Sequence, residues 1–189
     1  EHDNVWEHDR LLNFVPRASV DARSRRRNKA AGEDDYHHIE IAKTAKDLVE
    51  RGVNVHIGAH GQLQGLAAHW EVWMMAQGGF TPLQAIRGAT LHGAQYIGMG
   101  EHLGSLEVGK LADLVVLDRN PLIDIRNTDS VNMTMVNGRL YDAETMNEIG
   151  NHPSNRGKFY WEHEKASDSF VWRGDGWGFE GARCSCTSH

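Results

Sequence analysis

The sequence has little cysteine and no long apolar run. Its two cysteines, Cys184 and Cys186, lie within the last six of 189 residues, so no disulfide can join distant parts of a core. No stretch approaches the ~18 uninterrupted apolar residues that a membrane-spanning helix requires. The chain does not begin with a basic segment followed by an apolar one. We therefore expect neither a signal peptide nor a membrane partner.

Positive charge is also scarce. Lys and Arg number 20 against 26 Asp and Glu, which gives a formal net charge of −6 at pH 7. We therefore expect no nucleic-acid partner, because phosphate binding depends on an excess of basic side chains on one face. The basic run at 23–29 is followed at once by acidic residues at 33–35, which predicts a solvated or salt-bridged segment.

The middle of the chain carries helical and strand patterns in alternation. Apolar residues at three- and four-residue spacing predict a helix over about 36–51. The alternating, β-branched stretch at 53–58 predicts a strand. Further helices are expected over 66–77 and 82–96, the second because Thr81-Pro82 is a strong helix start. A helix, a glycine and a strand form one unit of an α/β fold, whose parallel strands need such crossovers.

The pattern changes to β-structure after residue 98. Strands are expected over 112–118, 131–136 and 139–141, and the last two flank Asn137-Gly138, the commonest two-residue hairpin turn. The first thirty-odd residues show no sustained period and predict an extended or loop-rich segment. We therefore expect three parts, namely 1–98, 99–147 and an irregular Trp- and Gly-rich tail at 148–189 that packs its tryptophans.

Twelve histidines in this chain raise the question of whether some converge on a metal. His60 lies in a glycine-rich loop after the predicted strand, where functional residues of α/β folds gather, so a site role is weighed against a structural role in the loop. His56 and His92 are predicted to be packed structural residues. His69 and Glu71 open the next helix, where they could line a pocket or support a ligand, or serve only in packing.

Two further histidine motifs have weaker functional interpretations. His37-His38 are adjacent at a helix start, so solvent exposure is the preferred interpretation. Cys184-x-Cys186-x-x-His189 could bind zinc or copper, with a disordered end or a local disulfide as open alternatives.

Four stretches occur in a fixed order that is more informative than any one of them. They are Gly58-Ala59-His60-Gly61, Gly79-Phe80-Thr81-Pro82, the highly specific stretch from Leu103 to Asp118, and Val136-Asn137-Gly138. In this order they resemble the end of the amidohydrolase superfamily, in its imidazolonepropionase-like and prolidase-like branch. The run from His60 to Gly65, followed by His69-Trp70-Glu71, is similar to members joined to an amino-terminal β-propeller of the Tol type.

The resemblance implies a fold and a chemistry. The fold is the carboxyl-terminal part of a (β/α)₈ barrel over 1–98, with strands of a small β-sandwich domain over 99–147. The reaction is hydrolysis of C–N bonds in small amide or peptide-like substrates, with a divalent metal, zinc being the expected ion, to polarise the carbonyl and lower the pKa of bound water. The usual base is an Asp at the end of the eighth strand, and the corresponding position here is His60.

His60 is therefore the candidate catalytic residue and metal ligand, since neutral imidazole can bind zinc or accept a proton. Gln62, His69 and Glu71 are the candidate substrate-binding residues. The superfamily's His-x-His pair has no counterpart, because that motif occurs nowhere in this chain. We therefore expect a carboxyl-terminal fragment that is inactive by itself.

Two alternatives remain open. The chain could be a non-catalytic association module that uses its β-domain and tryptophan-rich tail, or an enzyme whose site is completed by another chain. A partial barrel leaves open strand edges and apolar faces, so the sequence predicts a homo-oligomer or a missing amino-terminal part.

Overall fold

A computed structural model describes residues 5–24, 36–59, 63 and 65–162, without the side chains of residues 23, 24 and 160. The chain divides into two compact units. One comprises Glu1–Arg26 and Gly157–His189, and the other comprises Arg27–Arg156. The boundaries predicted from the sequence, at 98 and 147, stay a prediction.

The first unit begins with helices where the sequence predicted an extended or loop-rich segment. A 3₁₀ turn at Val5–Glu7 precedes helix α1, Asp9–Phe14, and helix α2, Arg17–Ser24. The ring Nδ1 of His8 accepts a hydrogen bond of 3.2 Å from the Leu11 amide and so caps α1. A histidine cap is not among the usual Ser, Thr, Asp or Asn signals. The prediction for this segment was therefore wrong.

Aromatic rings pack together in the same unit. Phe14 meets Phe159 edge to face at 6.3 Å between ring centroids, and Phe159 stacks on Trp161 at 4.5 Å. Trp161 thus packs as predicted for the tail. The other tail residues singled out from the sequence, Trp172, Trp177 and the Cys184-x-Cys186-x-x-His189 motif, lie outside the described residues.

In the described part of the second unit, four helices precede the strands. They are α3, His38–Glu50; α4, Leu66–Gln77; α5, Pro82–Ala89; and α6, Leu91–Tyr96. The helices predicted over 36–51 and 66–77 are confirmed. At 13 residues, α3 is the longest helix of the described ranges, and none of their helices has the length and apolar character to span a bilayer.

The single helix predicted over 82–96 is broken at Thr90. The Thr90 hydroxyl donates to the Ile86 carbonyl at 2.8 Å, and the Thr90 amide donates to the Arg87 carbonyl at 3.3 Å instead of continuing the helical pattern. Its backbone, with φ −129° and ψ −87°, is not helical. A threonine hydroxyl competes with the backbone for carbonyl groups and commonly bends helices in this way.

The strand predicted over 53–58 does not form, and the barrel is not confirmed. Residues 53–59 have no regular secondary structure. A strand needs a neighbour with which to form a ladder of hydrogen bonds, and the described residues before this segment are helical. Its backbone is held by other contacts instead, since the Ile57 amide donates to the Gly88 carbonyl at 3.3 Å.

The core of the second unit lies between these helices. Its buried members are Val72, Met75, Phe80 and Ala85, and the half-buried residues packed against them include Val55, Ile57, Ala45 and Val49. The segment 53–59 therefore contributes side chains to the core although it forms no strand.

A small antiparallel sheet follows the helices. Its strands are β1, Leu114–Leu117; β2, Val131–Val136; and β3, Arg139–Asp142, in the order β1-β2-β3. Positive φ at Asn137, 49°, and Gly138, 78°, produces the predicted hairpin turn. The three strand predictions are confirmed, with ends that differ by a residue or two. The described residues form one sheet, so the second layer of a sandwich is not among them.

The specific stretch at 103–118 is held together by a lysine. Lys110 Nζ donates to the Gly100 carbonyl at 2.7 Å and to the Ser105 hydroxyl at 2.6 Å, and it lies 3.2 Å from a carboxylate oxygen of Glu107. Hydrogen bonds from Ser105 and Lys110 lower the pKa of Glu107. These contacts hold residues 100–110 together in the connection between α6 and the sheet.

Candidate functional site

The candidate site is the connection between residues 53–59 and helix α4. His60, the candidate catalytic residue and metal ligand, and Gln62, a candidate substrate-binding residue, lie outside the described residues, so their roles stay predictions. The structure does show how the connection begins. The Gly58 amide donates a hydrogen bond of 3.0 Å to Oε1 of Glu71.

Glu71 and His69 lie in the first two turns of α4. Both are half-buried. The Glu71 carboxylate reaches back across 13 positions to Gly58, and His69 makes interactions of its own. The structure therefore places Glu71 beside the start of the loop that contains His60. Substrate binding by either residue stays a prediction.

Helix α4 is fixed on two sides. Val72 and Met75 are buried in the core. On another side, Trp73 Nε1 donates to the Thr128 hydroxyl at 2.9 Å, and the guanidinium carbon of Arg126 lies 5.3 Å from the Trp73 ring centroid. Thr128 and Arg126 belong to a 3₁₀ turn at Ile125–Asp129. This attachment was not predicted from the sequence, because Trp73 and Thr128 are 55 positions apart.

The histidines predicted to be structural are packed as expected. Nδ1 of His92 lies 3.2 Å from the Val55 carbonyl oxygen, which can only accept, so Nδ1 carries the proton. The His56 ring lies 4.4 Å from that of Tyr96, and its Nδ1 is 3.2 Å from the Ile57 carbonyl oxygen. Both side chains thus support the 53–59 segment.

The adjacent residues His37 and His38 differ in their exposure to solvent. His37 is exposed, as predicted. His38 is half-buried, and its Nε2 lies 3.1 Å from Oε1 of Gln77 in an exposed contact, so the prediction of exposure holds in part for this residue. The helical arrangement of α3 beside α4 brings these two side chains together.

A divalent metal site is not assembled by the described side chains. Within residues 5–24, 36–59, 63 and 65–162, no three His, Cys, Asp or Glu residues are arranged to hold an ion. The described residues therefore do not form a metal site by themselves.

A buried glutamate on the sheet is paired with an exposed arginine. Glu148 is only 4% exposed, and its two carboxylate oxygens accept hydrogen bonds from Nε and Nη2 of Arg139. These hydrogen bonds lower the pKa of Glu148 and raise that of Arg139. The pair was not predicted from the sequence, because nothing in the local pattern marks Glu148 as buried.

Comparisons with known proteins identify a family and individual proteins to which this chain is similar. A profile described as "Amidohydrolase family" matches residues 29–141. Imidazolonepropionase of Pseudomonas fluorescens (strain Pf0-1) is 63% identical over 35 residues, which are 18% of this chain and 9% of that protein. A 5-methylthioadenosine/S-adenosylhomocysteine deaminase of Syntrophobacter fumaroxidans (strain DSM 10017 / MPOB) is 31% identical over 116 residues, covering 49% of this chain and 26% of that protein.

Among solved structures, a Xaa-Pro dipeptidase with bound methionine in its active site is similar, with 32% identity and a TM-score of 0.49. The similarity covers 54% of this chain and 25% of the dipeptidase. The chain thus spans about a quarter or less of the length of these relatives. The family match nevertheless extends over more than half of the chain and includes the stretches on which the resemblance was based. The chain belongs to the amidohydrolase family.

Proposed function

We propose that this chain is the carboxyl-terminal portion of a metal-dependent amidohydrolase that cleaves C–N bonds in small amide or peptide-like substrates. The observation that carries the proposal is the family match over residues 29–141. The family and its hydrolase relatives support hydrolysis in general. A deaminase and an imidazolonepropionase are among those relatives, and both names fit reactions at C–N bonds.

His60 is the residue of this chain that we assign to the reaction. Its imidazole can ligate a divalent ion or accept a proton from water. Amidohydrolases generally use a divalent metal, and zinc is our proposal for the ion. Since the described residues hold no metal-binding cluster, we propose that further ligands come from polypeptide beyond this chain and that the chain alone is inactive.

Metal analysis and hydrolysis assays test this proposal together. The chain alone, and the polypeptide translated from the whole uninterrupted reading frame, are purified, dialysed against zinc and analysed for bound metal. Both are then assayed for amine release from dipeptides, N-acyl amino acids and cyclic amides. We expect metal and hydrolysis in the longer polypeptide and neither in the chain alone.

Two histidine variants make the test specific. His60→Ala in the longer polypeptide should abolish hydrolysis, whereas His37→Ala, at an exposed position at the start of α3, should leave it unchanged. Full activity of the His60→Ala variant would contradict the assignment. A longer polypeptide without metal or hydrolysis would favour the alternative, a non-catalytic association module.

A further inference from the structure

We propose that Glu71 is a positioning residue, whose carboxylate holds the start of the loop that carries His60. The inference rests on the proposed function, because the loop matters to catalysis only if His60 does. It assigns Glu71 a role through the backbone of Gly58 and not through contact with substrate.

The first support is the hydrogen bond itself. Oε1 of Glu71 accepts the Gly58 amide at 3.0 Å. Gly58 is two residues from His60 in the sequence, so a fixed Gly58 backbone limits where His60 can lie.

The second support is a hydrogen bond at Leu63, which follows His60 in the sequence. The Leu63 carbonyl accepts a hydrogen bond of 2.9 Å from the Ala67 amide, in the first turn of α4. Gly58 and Leu63, which flank His60 in the sequence, are thus both hydrogen-bonded to α4. Joining both ends of a loop to a rigid element removes conformational freedom that an open connection would keep.

The third support is the rigidity of the helix that provides Glu71. Val72 next to it is buried in the core, and Trp73 is hydrogen-bonded to Thr128 at 2.9 Å. Glu71 therefore holds Gly58 against a part of the molecule that is itself held on two sides. A carboxylate on a mobile segment could not position a loop.

The role requires a hydrogen-bond acceptor at position 71 and not a negative charge. Glutamine keeps the same length and offers an amide oxygen to the Gly58 N–H, whereas alanine offers nothing. A substrate-binding or proton-transferring Glu71 would depend on the charge. Glu71→Gln and Glu71→Ala therefore distinguish a positioning role from a substrate-binding or proton-transferring role.

Amide hydrogen exchange, followed by NMR on this chain, measures the hydrogen bond directly. We expect Glu71→Ala to accelerate exchange of the Gly58 amide about fivefold, with the α3 and β2 amides unchanged. Glu71→Gln should stay within about twofold of the unmodified chain. Glu101→Ala removes an exposed glutamate from a surface turn and should change none of these rates.

Unchanged Gly58 exchange in Glu71→Ala would overturn the proposal, and so would a Gln variant that exchanges as fast as the Ala variant. In the longer polypeptide, Glu71→Ala should lower kcat with KM retained, and Glu71→Gln should restore kcat. A raised KM in Glu71→Gln would instead indicate substrate contact and overturn the positioning role. If no form hydrolyses any substrate, the proposed function fails, but the exchange rates still decide whether Glu71 holds the loop.

Discussion

At the scale of single residues, the Arg139–Glu148 pair shows how a buried charge is tolerated in this molecule. Glu148 is 4% exposed, and both of its carboxylate oxygens are paired with one guanidinium group. Its main chain also bridges Tyr141 on β3 to Ser154. The Arg139 side chain is 57% exposed, so water screens part of its attraction to Glu148.

We expect Glu148→Gln to lower the melting temperature at pH 7. Arg139 lowers the pKa of Glu148 in the folded state, so the pair stabilises the fold above the ordinary glutamate range. This contribution is lost as the pH falls through the lowered folded value. The difference between variant and unmodified chain should therefore be constant from pH 7 to 5 and shrink below about pH 4.5.

Thermal unfolding followed by circular dichroism over pH 3–7 checks this expectation. Glu101→Gln, at an exposed position, is the matched control and should show no difference at any pH. A Glu148→Gln difference that persists undiminished at pH 3 would mean that the charge of Glu148 is not what stabilises the fold.

Gly104 is a second residue whose identity is set by its surroundings. Its φ is +92°, and a Cβ there would lie 2.7 Å from Cβ of Ala94 and 2.9 Å from Cα of Leu91. Gly109 has a similar φ of +95° but nothing within 4 Å of its Cβ position. We expect Gly109→Ala to cost about 1–2 kcal/mol from backbone strain alone.

Gly104→Ala should cost clearly more, by roughly a further 1–3 kcal/mol, because packed atoms must move as well. Urea denaturation of both variants measures the two free energies of unfolding. Equal losses in the two variants would show that close packing against α6 is not the reason for glycine at 104.

At the scale of elements, the start of α5 is a complete capping box. The Thr81 hydroxyl accepts a hydrogen bond from the Gln84 amide at 3.2 Å, and the Gln84 side chain accepts one from the Thr81 amide at 3.0 Å. Pro82 occupies the first helical position.

We expect Thr81→Ala to reduce the free energy of unfolding by about 1 kcal/mol. Thr44→Ala is a control on the exposed surface of α3 and should be neutral or slightly stabilising, since alanine is the better helix former. Similar losses in the two variants, by chemical denaturation, would argue against the cap.

The attachment of α4 to the turn at Ile125–Asp129 is also testable. Trp73→Phe keeps most of the apolar surface but removes the hydrogen bond to Thr128 and weakens the interaction with Arg126. We expect a loss of about 1–2 kcal/mol. Trp70→Phe, in the same helix, is the control with a smaller expected effect. Chemical denaturation measures both variants, and equal losses would contradict a specific role for Trp73.

Local signals in the sequence predicted the elements that depend on local interactions. The Thr81-Pro82 start and the Asn137-Gly138 turn are of this kind, because their backbone geometry follows from residues within four positions. The strand expected over 53–58 failed because pairing depends on a distant partner. Glu71 was singled out by resemblance and helix position, but its bond to Gly58 follows only from the packing of the 53–59 segment against the helices.

At the scale of the whole molecule, the second unit exposes many large apolar side chains. Those exposed by more than 60% include Ile41, Tyr96, Ile97, Leu106, Val108 and Ile123. Burial of exposed apolar side chains against a partner is favourable. We propose that further polypeptide or a second copy of the chain covers it, in line with the partner predicted from the sequence.

We expect the isolated chain to self-associate reversibly. Sedimentation velocity over a hundredfold range of concentration should show a rising average mass, because burial of apolar surface drives association. Association should weaken on cooling, as expected for an apolar interface. A strictly monomeric chain at every concentration would contradict the expectation.

The flanks of β1 have a consequence for how the protein behaves during synthesis. β1 has one strand neighbour in the described structure, and its four residues, Leu-Val-Val-Leu, carry no charge. Asp113 and Asp118 stand at its two ends, where each also accepts a hydrogen bond, from the Asn137 amide and from the Asn132 side chain respectively. Charges that flank an apolar edge strand act as gatekeepers against intermolecular strand pairing. We therefore expect the two carboxylates that fasten the hairpin also to disfavour edge-to-edge pairing between newly made copies of the chain.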